Sequence, residues 1–265
     1  MTLLVGAMFP WRHLLDSPIF GALKQLHLAG GAILAADSRW TYPDGRTEDG
    51  AVKMFKLGTN AIAAYAGSGT AGEDAIIGLS TRLKASRTLR DFTSQTQAII
   101  ASAWGHHPES HEDGLEILLA YSYPSGLAWL GHFSSTDDFA PHEVDDMTVV
   151  GPQRARVHFQ QGLRAAVAQN LEPAKSRATS LSIDSWAVLI VAAINDACEL
   201  RAHKTVGGKV LCGYTILGRP QGLRAIRVSL TPSGPVADDI GFDHSQARTV
   251  RSGWKFVPPA DDPDD

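Results

Sequence analysis

The chain has 265 residues, 44% of them hydrophobic and 20% charged, with a formal net charge of −4 and a pI of about 6.2. That suits a sizeable core in one domain or two small ones, and it supplies no basic field for nucleic acid. The two cysteines, Cys198 and Cys212, fit no metal or redox spacing, so a reducing, cytosolic setting is expected.

The apolar run Leu3 to Ala7 has no basic stretch before it and reads as a buried strand over 3–9 rather than a signal peptide. Residues 10–29 are broken by Pro10-Trp11 and Ser17-Pro18. Leu14, Leu15, Ile19, Leu23 and Leu26 could line a short helix there, packed on its own domain or on a neighbouring subunit. A second strand is expected over 31–39, ending in Asp37-Ser38-Arg39, and Tyr42-Pro43-Asp44-Gly45 is a turn signal. Strands over 54–57 and 61–66 follow, joined by Gly58-Thr59-Asn60.

Beyond Gly67-Ser68-Gly69-Thr70 the pattern turns helical. A helix is expected over about 71–85, with Ile76, Leu79 and Leu83 on its apolar face. Thr88 followed by Asp91 is a capping-box-like start for a second helix with Leu89, Phe92, Ile99 and Trp104 on its apolar face. Strands over 115–122 and 126–132, an acidic loop over 134–146 and a short strand over 147–150 come next. Two more helices are expected, over 153–169 with Val157, Leu163 and Val167, and over 183–202 with Trp186, Leu189, Ile190, Ala193, Ile194 and Ala197. The apolar run of the last helix, Trp186 to Ile194, falls well short of the ~20 residues a membrane span needs. Strands over 209–217 and 223–230 close the core, and the Pro- and Asp-rich 257–265 reads as a disordered acidic tail.

Helices in pairs between blocks of strands do not fit the one-to-one alternation of a doubly wound parallel sheet. They fit an α+β, four-layer αββα sandwich, two antiparallel sheets between helix pairs, as a single domain over 1–256.

Gly31-Ala32-Ile33-Leu34-Ala35-Ala36-Asp37-Ser38-Arg39, Lys53-Met54-Phe55 after it, and Ala63-Ala64-Tyr65-Ala66-Gly67-Ser68 before the first helix resemble the proteasome β-subunits. They are equally close to the simpler HslV-type and Anbu-type bacterial relatives, all N-terminal-nucleophile (Ntn) hydrolases. The resemblance covers the order of elements over roughly 1–217 and is specific mainly over 30–75. Asp37 and Lys53 are 16 positions apart, the spacing that family uses between its strand acid and its lysine. The resemblance implies a threonine peptidase, or another amide-bond hydrolase, with Thr2 as nucleophile once Met1 is removed. A hydroxyl needs an adjacent base, and a free α-amine with a pKa of about 7.7–8.0 can serve. Lys53 would lower the hydroxyl's pKa, Asp37 would pair with Lys53, Arg39 would hold the surrounding loops, and a backbone N–H near Ala64 would bind the oxyanion. His203 stands where the family has a supporting aspartate, Val206 where it has a serine, and Thr205 offers a hydroxyl in a shifted register. Thr2 and Asp37 lie further apart than in the family, which places an insertion at about 9–29 in the first hairpin. No hydroxyl follows Val149-Val150-Gly151-Pro152 where the family has a serine.

The resemblance further implies a peptide or protein substrate, a homo-oligomeric ring, no cofactor and no metal; ring size and any unfoldase partner are not specified. The contrasting reading is a non-catalytic scaffold of the same fold, in which Asp37, Arg39 and Lys53 are only a structural ion-pair cluster. His106, His107 and His111 have a spacing that can bind zinc, yet they sit in an apparent surface loop. Gly67 to Thr70 before a helix suggests a phosphate cradle but lacks the Gly-Lys-Ser/Thr ending of one.

Overall fold

A computed structural model of the chain describes residues 2–9, 31–42, 44–57, 61–83, 88–122, 128–177, 183–200, 203–208, 210–216, 224–231 and 234–239. The expected insertion at 9–29 and the tail at 257–265 lie almost wholly outside these residues.

The first hairpin sets the frame. β1 (Leu4–Phe9) and β2 (Gly31–Asp37) pair antiparallel, with Leu4 opposite Ala36 and Phe9 opposite Gly31. β10 (Met147–Val150) flanks β1, and β11 (Val210–Ile216), β12 (Arg224–Thr231) and β13 (Gly234–Asp239) follow on the β2 side, making a six-stranded sheet. A five-stranded sheet runs in chain order through β5 (Met54–Leu57), β6 (Ala61–Gly67), β7 (Leu115–Ser122), β8 (Ala128–Ser134) and β9 (His142–Glu143). A small hairpin of β3 (Arg39–Thr41) and β4 (Thr47–Asp49) continues from the end of β2.

Side chains alternate across each strand, and both faces of the paired sheets are apolar. Leu4, Ala32, Leu34 and Ala36 meet Met54, Ile62, Ala64, Leu118 and Leu130 between the sheets. On the outer face of the larger sheet, Leu3, Val5, Ile33 and Ala35 pack on α3 (Gln153–Arg177) and α4 (Ile183–Glu199). On the outer face of the smaller, Phe55, Tyr65, Ile117 and Phe133 pack on α1 (Gly69–Arg82) and α2 (Leu89–Gly105). The result is the expected αββα sandwich. Each fully buried Leu, Ile or Phe contributes about 1.5–3 kcal/mol of transfer free energy, so three such cores hold the frame on which the site is mounted.

Several boundaries differ from the expected ones. The strand expected over 31–39 breaks at Ser38, whose carbonyl accepts from both Gly50 and Ala51 N–H while its own N–H goes to Gly207 O. The helix expected over 153–169 runs on to Arg177. Its buried face is Ala155, Phe159 and Leu163, at four-residue spacing, which leaves Val157 on the outside at 38% exposure. β13 adds a strand beyond the expected ones, over a stretch that contains Gly234, Pro235 and the Asp238-Asp239 pair. Proline is compatible with an edge strand, and β13 is one. Thr88 caps α2 as expected, its hydroxyl accepting from Asp91 N–H at 3.2 Å.

Candidate active site

The site is built around the end of β2. Asp37 is 1% exposed, and its carboxylate accepts three backbone N–H groups from three parts of the chain. Leu3 N–H donates to Oδ1 at 2.9 Å, Gly207 N–H to Oδ2 at 3.0 Å and Arg39 N–H to Oδ2 at 3.2 Å. Asp37 N–H in turn donates to Leu3 O at 3.2 Å. One acid thereby ties the start of β1, the end of β2 and the loop before β11 together.

Lys53, 3% exposed just before β5, reaches across from the other sheet. Its Nζ lies 3.5 Å from Asp37 Oδ1 and also donates to Arg39 O. Burial pushes both members toward their neutral forms, raising Asp37 and lowering Lys53, and each opposes the other's shift by its charge. Three N–H donors and an ammonium around two oxygens leave no room for a proton on Asp37, so we assign a carboxylate facing an ammonium.

Thr2 is 4% exposed, two positions before β1 and one residue from the Asp37 contact; within β1, Leu4 and Gly6 turn toward the inter-sheet space. Gly151, at the end of β10, closes over it. A Cβ built there would meet Thr2 O at 2.6 Å and Leu3 Cα at 3.2 Å, and its φ of +138° disfavours any side chain. The position after β10 therefore serves as backbone clearance, consistent with the absence of a hydroxyl there.

Arg39 holds the rim. It forks onto Asp49, directly opposite it in the β3–β4 hairpin, at 2.7 and 3.0 Å, and reaches Lys204 O and Val206 O at 3.4 Å each. Gly207 lies flat beneath it, since a Cβ there would stand 2.3 Å from Arg39 Cζ. In the same loop His203 Nδ1 meets Thr205 Oγ1 at 2.8 Å and Thr205 N–H at 3.3 Å. Val206 is fully buried in the core beneath α3 and α4. The Cys198 thiol, on α4, is pushed up to about 12 by burial and then by Asp37, which keeps it a protonated neighbour of the site.

Ala64 sits in mid-strand between Met54 and Leu118. Tyr65 N–H points to Lys53 O. Alternation therefore turns Ala64 N–H into the β7 ladder and Gly67 N–H toward the β5 side. β5 does not extend that far: Ala51, opposite Gly67 by register, gives its N–H to Ser38 O. Geometry thus disfavours Ala64 as an oxyanion donor and favours Gly67.

The structure brings Thr2, Asp37, Lys53, Arg39 and the His203 loop to one end of the sandwich. It adds Asp49, Gly151, Gly207, Gly67 and Cys198, which sequence reasoning missed. Asp49 was findable: the Tyr42–Gly45 turn implies a hairpin, and opposite charges facing across it are a stabilising pair. The other two sequence candidates are occupied otherwise. His107 is held between Asp74 at 2.6 Å and Glu109 at 3.1 Å, and His111 stacks on Trp104 at 4.4 Å, so no ligand set converges. Ser68 caps α1 by accepting from Ala71 N–H at 3.3 Å, and the Trp40 ring covers Gly69 where a phosphate would lie. Among the described residues no helix is long and apolar enough to cross a membrane.

No protein-family model matches the chain, and no curated protein is similar to it by sequence. Solved structures are similar in fold. Anbu (ancestral β-subunit) from Yersinia bercovieri superposes with a TM-score of 0.58 at 12% identity, over 85% of this chain and 86% of that one. An Anbu Gly-1 mutant from Hyphomicrobium sp. strain MC1 gives 0.55 at 12% identity, over 86% and 87%. A second Anbu structure from that strain gives 0.52 at 13% identity, over 85% and 86%. At such identities the likeness shows the fold, which is proteasome-like.

Proposed function

We propose that this chain is an amide-bond hydrolase in which Thr2, made N-terminal by removal of Met1, is nucleophile and, through its own amine, base. The observation that carries the reading is the double use of Asp37 Oδ1. The same oxygen receives Leu3 N–H at 2.9 Å and faces Lys53 Nζ at 3.5 Å, which places residue 2 one step from a buried acid–ammonium pair.

The chemistry follows from those groups. The Thr2 amine takes the hydroxyl proton as Oγ bonds to the substrate carbonyl carbon. The Lys53 ammonium favours the developing alkoxide by its charge, and Asp37 keeps that ammonium in place. Negative charge on the carbonyl oxygen falls to a preorganised N–H, for which Gly67 is the better placed candidate. Such a donor is worth about 10²–10³-fold in rate. Collapse breaks the C–N bond, the leaving amine takes the proton from the Thr2 ammonium, and an ester remains on Oγ. Water, giving a proton to the same amine, bonds to the ester carbon; the C–Oγ bond breaks, the amine returns that proton to Oγ, and the acid product leaves with Thr2 restored.

The resemblance over 30–75 extends the proposal to peptide or protein substrates and to a homo-oligomeric ring in the cytosol that secludes the sites. Hydrolysis of fluorogenic peptide amides tests the chemistry. Thr2→Ala should reduce turnover to background and Thr2→Ser should keep a measurable fraction. Full turnover by Thr2→Ala would refute Thr2 as the nucleophile, and no turnover by the native chain would leave the scaffold reading. A mass in solution of 28.4 kDa, that of one chain, would refute the ring.

A further inference from the structure

We infer that Thr205 fixes His203 as the neutral tautomer protonated on Nε2, and that this pair latches the 203–208 loop so that Gly207 N–H stays on Asp37. A backbone N–H can only donate. Thr205 N–H approaches His203 Nδ1 at 3.3 Å, so Nδ1 must carry a lone pair, and the Thr205 hydroxyl, 2.8 Å away, donates to the same atom. A neutral imidazole then bears its proton on Nε2.

The latch is one end of a chain of contacts. Val206 N–H returns to His203 O at 3.0 Å and closes the turn. Arg39 takes Lys204 O and Val206 O, Gly207 O accepts from Ser38 N–H at 3.2 Å, and Gly207 N–H reaches Asp37. Thr205 is 7% exposed and Val206 fully buried, so the loop is packed rather than draped over the surface. Both residues are positioning residues: nothing places their atoms on a substrate. They act through Gly207 on Asp37, and through Asp37 on Lys53.

Protonation of Nδ1 removes the acceptor for both Thr205 donors at once. The charges that bear on His203 oppose that protonation. Burial disfavours the charged ring, and the positive charges of the amino terminus, of the adjoining Lys204 and of Arg154 at the start of α3 add to this; together they lower its pKa below the usual histidine value. Arg39, which reaches that loop from β3, is neutralised by Asp49. A lowered native pKa means that the unfolded chain binds the proton first. The latch is therefore at full strength above the ordinary value of about 6.5 and is lost as pH falls through the native one. The consequence for turnover rests on the Thr2 reading; the latch itself does not.

The test is ¹H–¹⁵N NMR on the full chain labelled uniformly with ¹⁵N, with long-range correlations for the histidine rings, His203 assigned by its loss in His203→Asn, and the Gly207 amide followed in the same titration. The expected result is an unprotonated Nδ1 at neutral pH, a titration below 6.5 and a Gly207 amide shift that tracks it. Thr205→Val should raise the His203 pKa and populate the Nδ1–H tautomer. An Nδ1–H tautomer in the native chain, a His203 indifferent to Thr205→Val, or a Gly207 amide indifferent to the titration overturns the inference. None of these readouts needs hydrolysis, so an inactive protein would refute the Thr2 reading and leave this one standing.

Discussion

Leu3 N–H donates to Asp37 Oδ1 at 2.9 Å although the two residues are 34 positions apart in sequence. The register of the first hairpin runs from Leu4 opposite Ala36 to Phe9 opposite Gly31, so the Asp37 contact lies just past its near end. Loop-closure cost grows slowly with length, about 0.6 kcal/mol per doubling, so a long connection between Phe9 and Gly31 is compatible with that register. Leu3 is held on Asp37, and residue 2 is its neighbour in the chain.

Asp37→Asn should destabilise the chain more than Lys53→Met does. Asparagine would leave the Lys53 ammonium buried with Arg39 O as its remaining acceptor, and its NH₂ would oppose backbone N–H donors that now find a carboxylate. Breaking a buried pair this way costs about 3–5 kcal/mol. After Lys53→Met, Asp37 still keeps three N–H donors. Urea midpoints at constant m-value give the comparison; equal midpoints for native and Asp37→Asn would deny the buried pair.

Gly151→Ala should impair turnover out of proportion to stability. The added methyl meets Thr2 O at 2.6 Å, a backbone atom that can yield only by moving the residue that carries the nucleophile. Strain of this kind costs about 1–3 kcal/mol, which a domain with three cores tolerates. Unchanged kcat with a lowered Tm would contradict it.

Arg39→Lys should hardly change global stability, because the Arg39 and Asp49 side chains are 25% and 49% exposed and such pairs are worth about 0.2–1 kcal/mol. A lysine cannot span Asp49 and two carbonyls together. Amide exchange should therefore quicken at 204–207 while the strands stay protected. Unaltered exchange there would remove Arg39 from its role in holding the loop.

The pH dependence of kcat/KM should be bell-shaped. The rising limb belongs to the Thr2 amine, ordinarily at about 7.7–8.0, which acts deprotonated. The falling limb belongs to Lys53, which acts charged. Burial lowers its pKa below the ordinary lysine value, so activity should fail at a pH lower than a solvent-exposed lysine would dictate. A profile still rising at pH 10.5 would contradict the ammonium role.

The layered fold was legible because its signals are local. The Thr88 cap, the short apolar runs of β1 and β2 and the paired helices with apolar stripes each declare an element without help from distant residues. Asp37 and Lys53 were legible through the 16 positions between them, a spacing the resemblance singles out although Asp37 ends β2 of one sheet and Lys53 immediately precedes β5 of the other. Gly151 and Gly207 were not, since their importance comes from what packs against them, Thr2 in one case and the Arg39 guanidinium in the other. Gly67 was not legible as an N–H donor, because strand phase, which decides where each N–H points, emerges only when β5 and β6 are paired and β5 is seen to end short.

The most direct measurement is the intact mass of the full chain before and after treatment with an epoxyketone that requires both a hydroxyl and an adjacent free amine. The account predicts a mass lacking Met1, one adduct per chain, and loss of that adduct in Thr2→Ala and in Asp37→Asn variants that remain folded. Retention of Met1 with no adduct, or an adduct that survives Thr2→Ala, would contradict it.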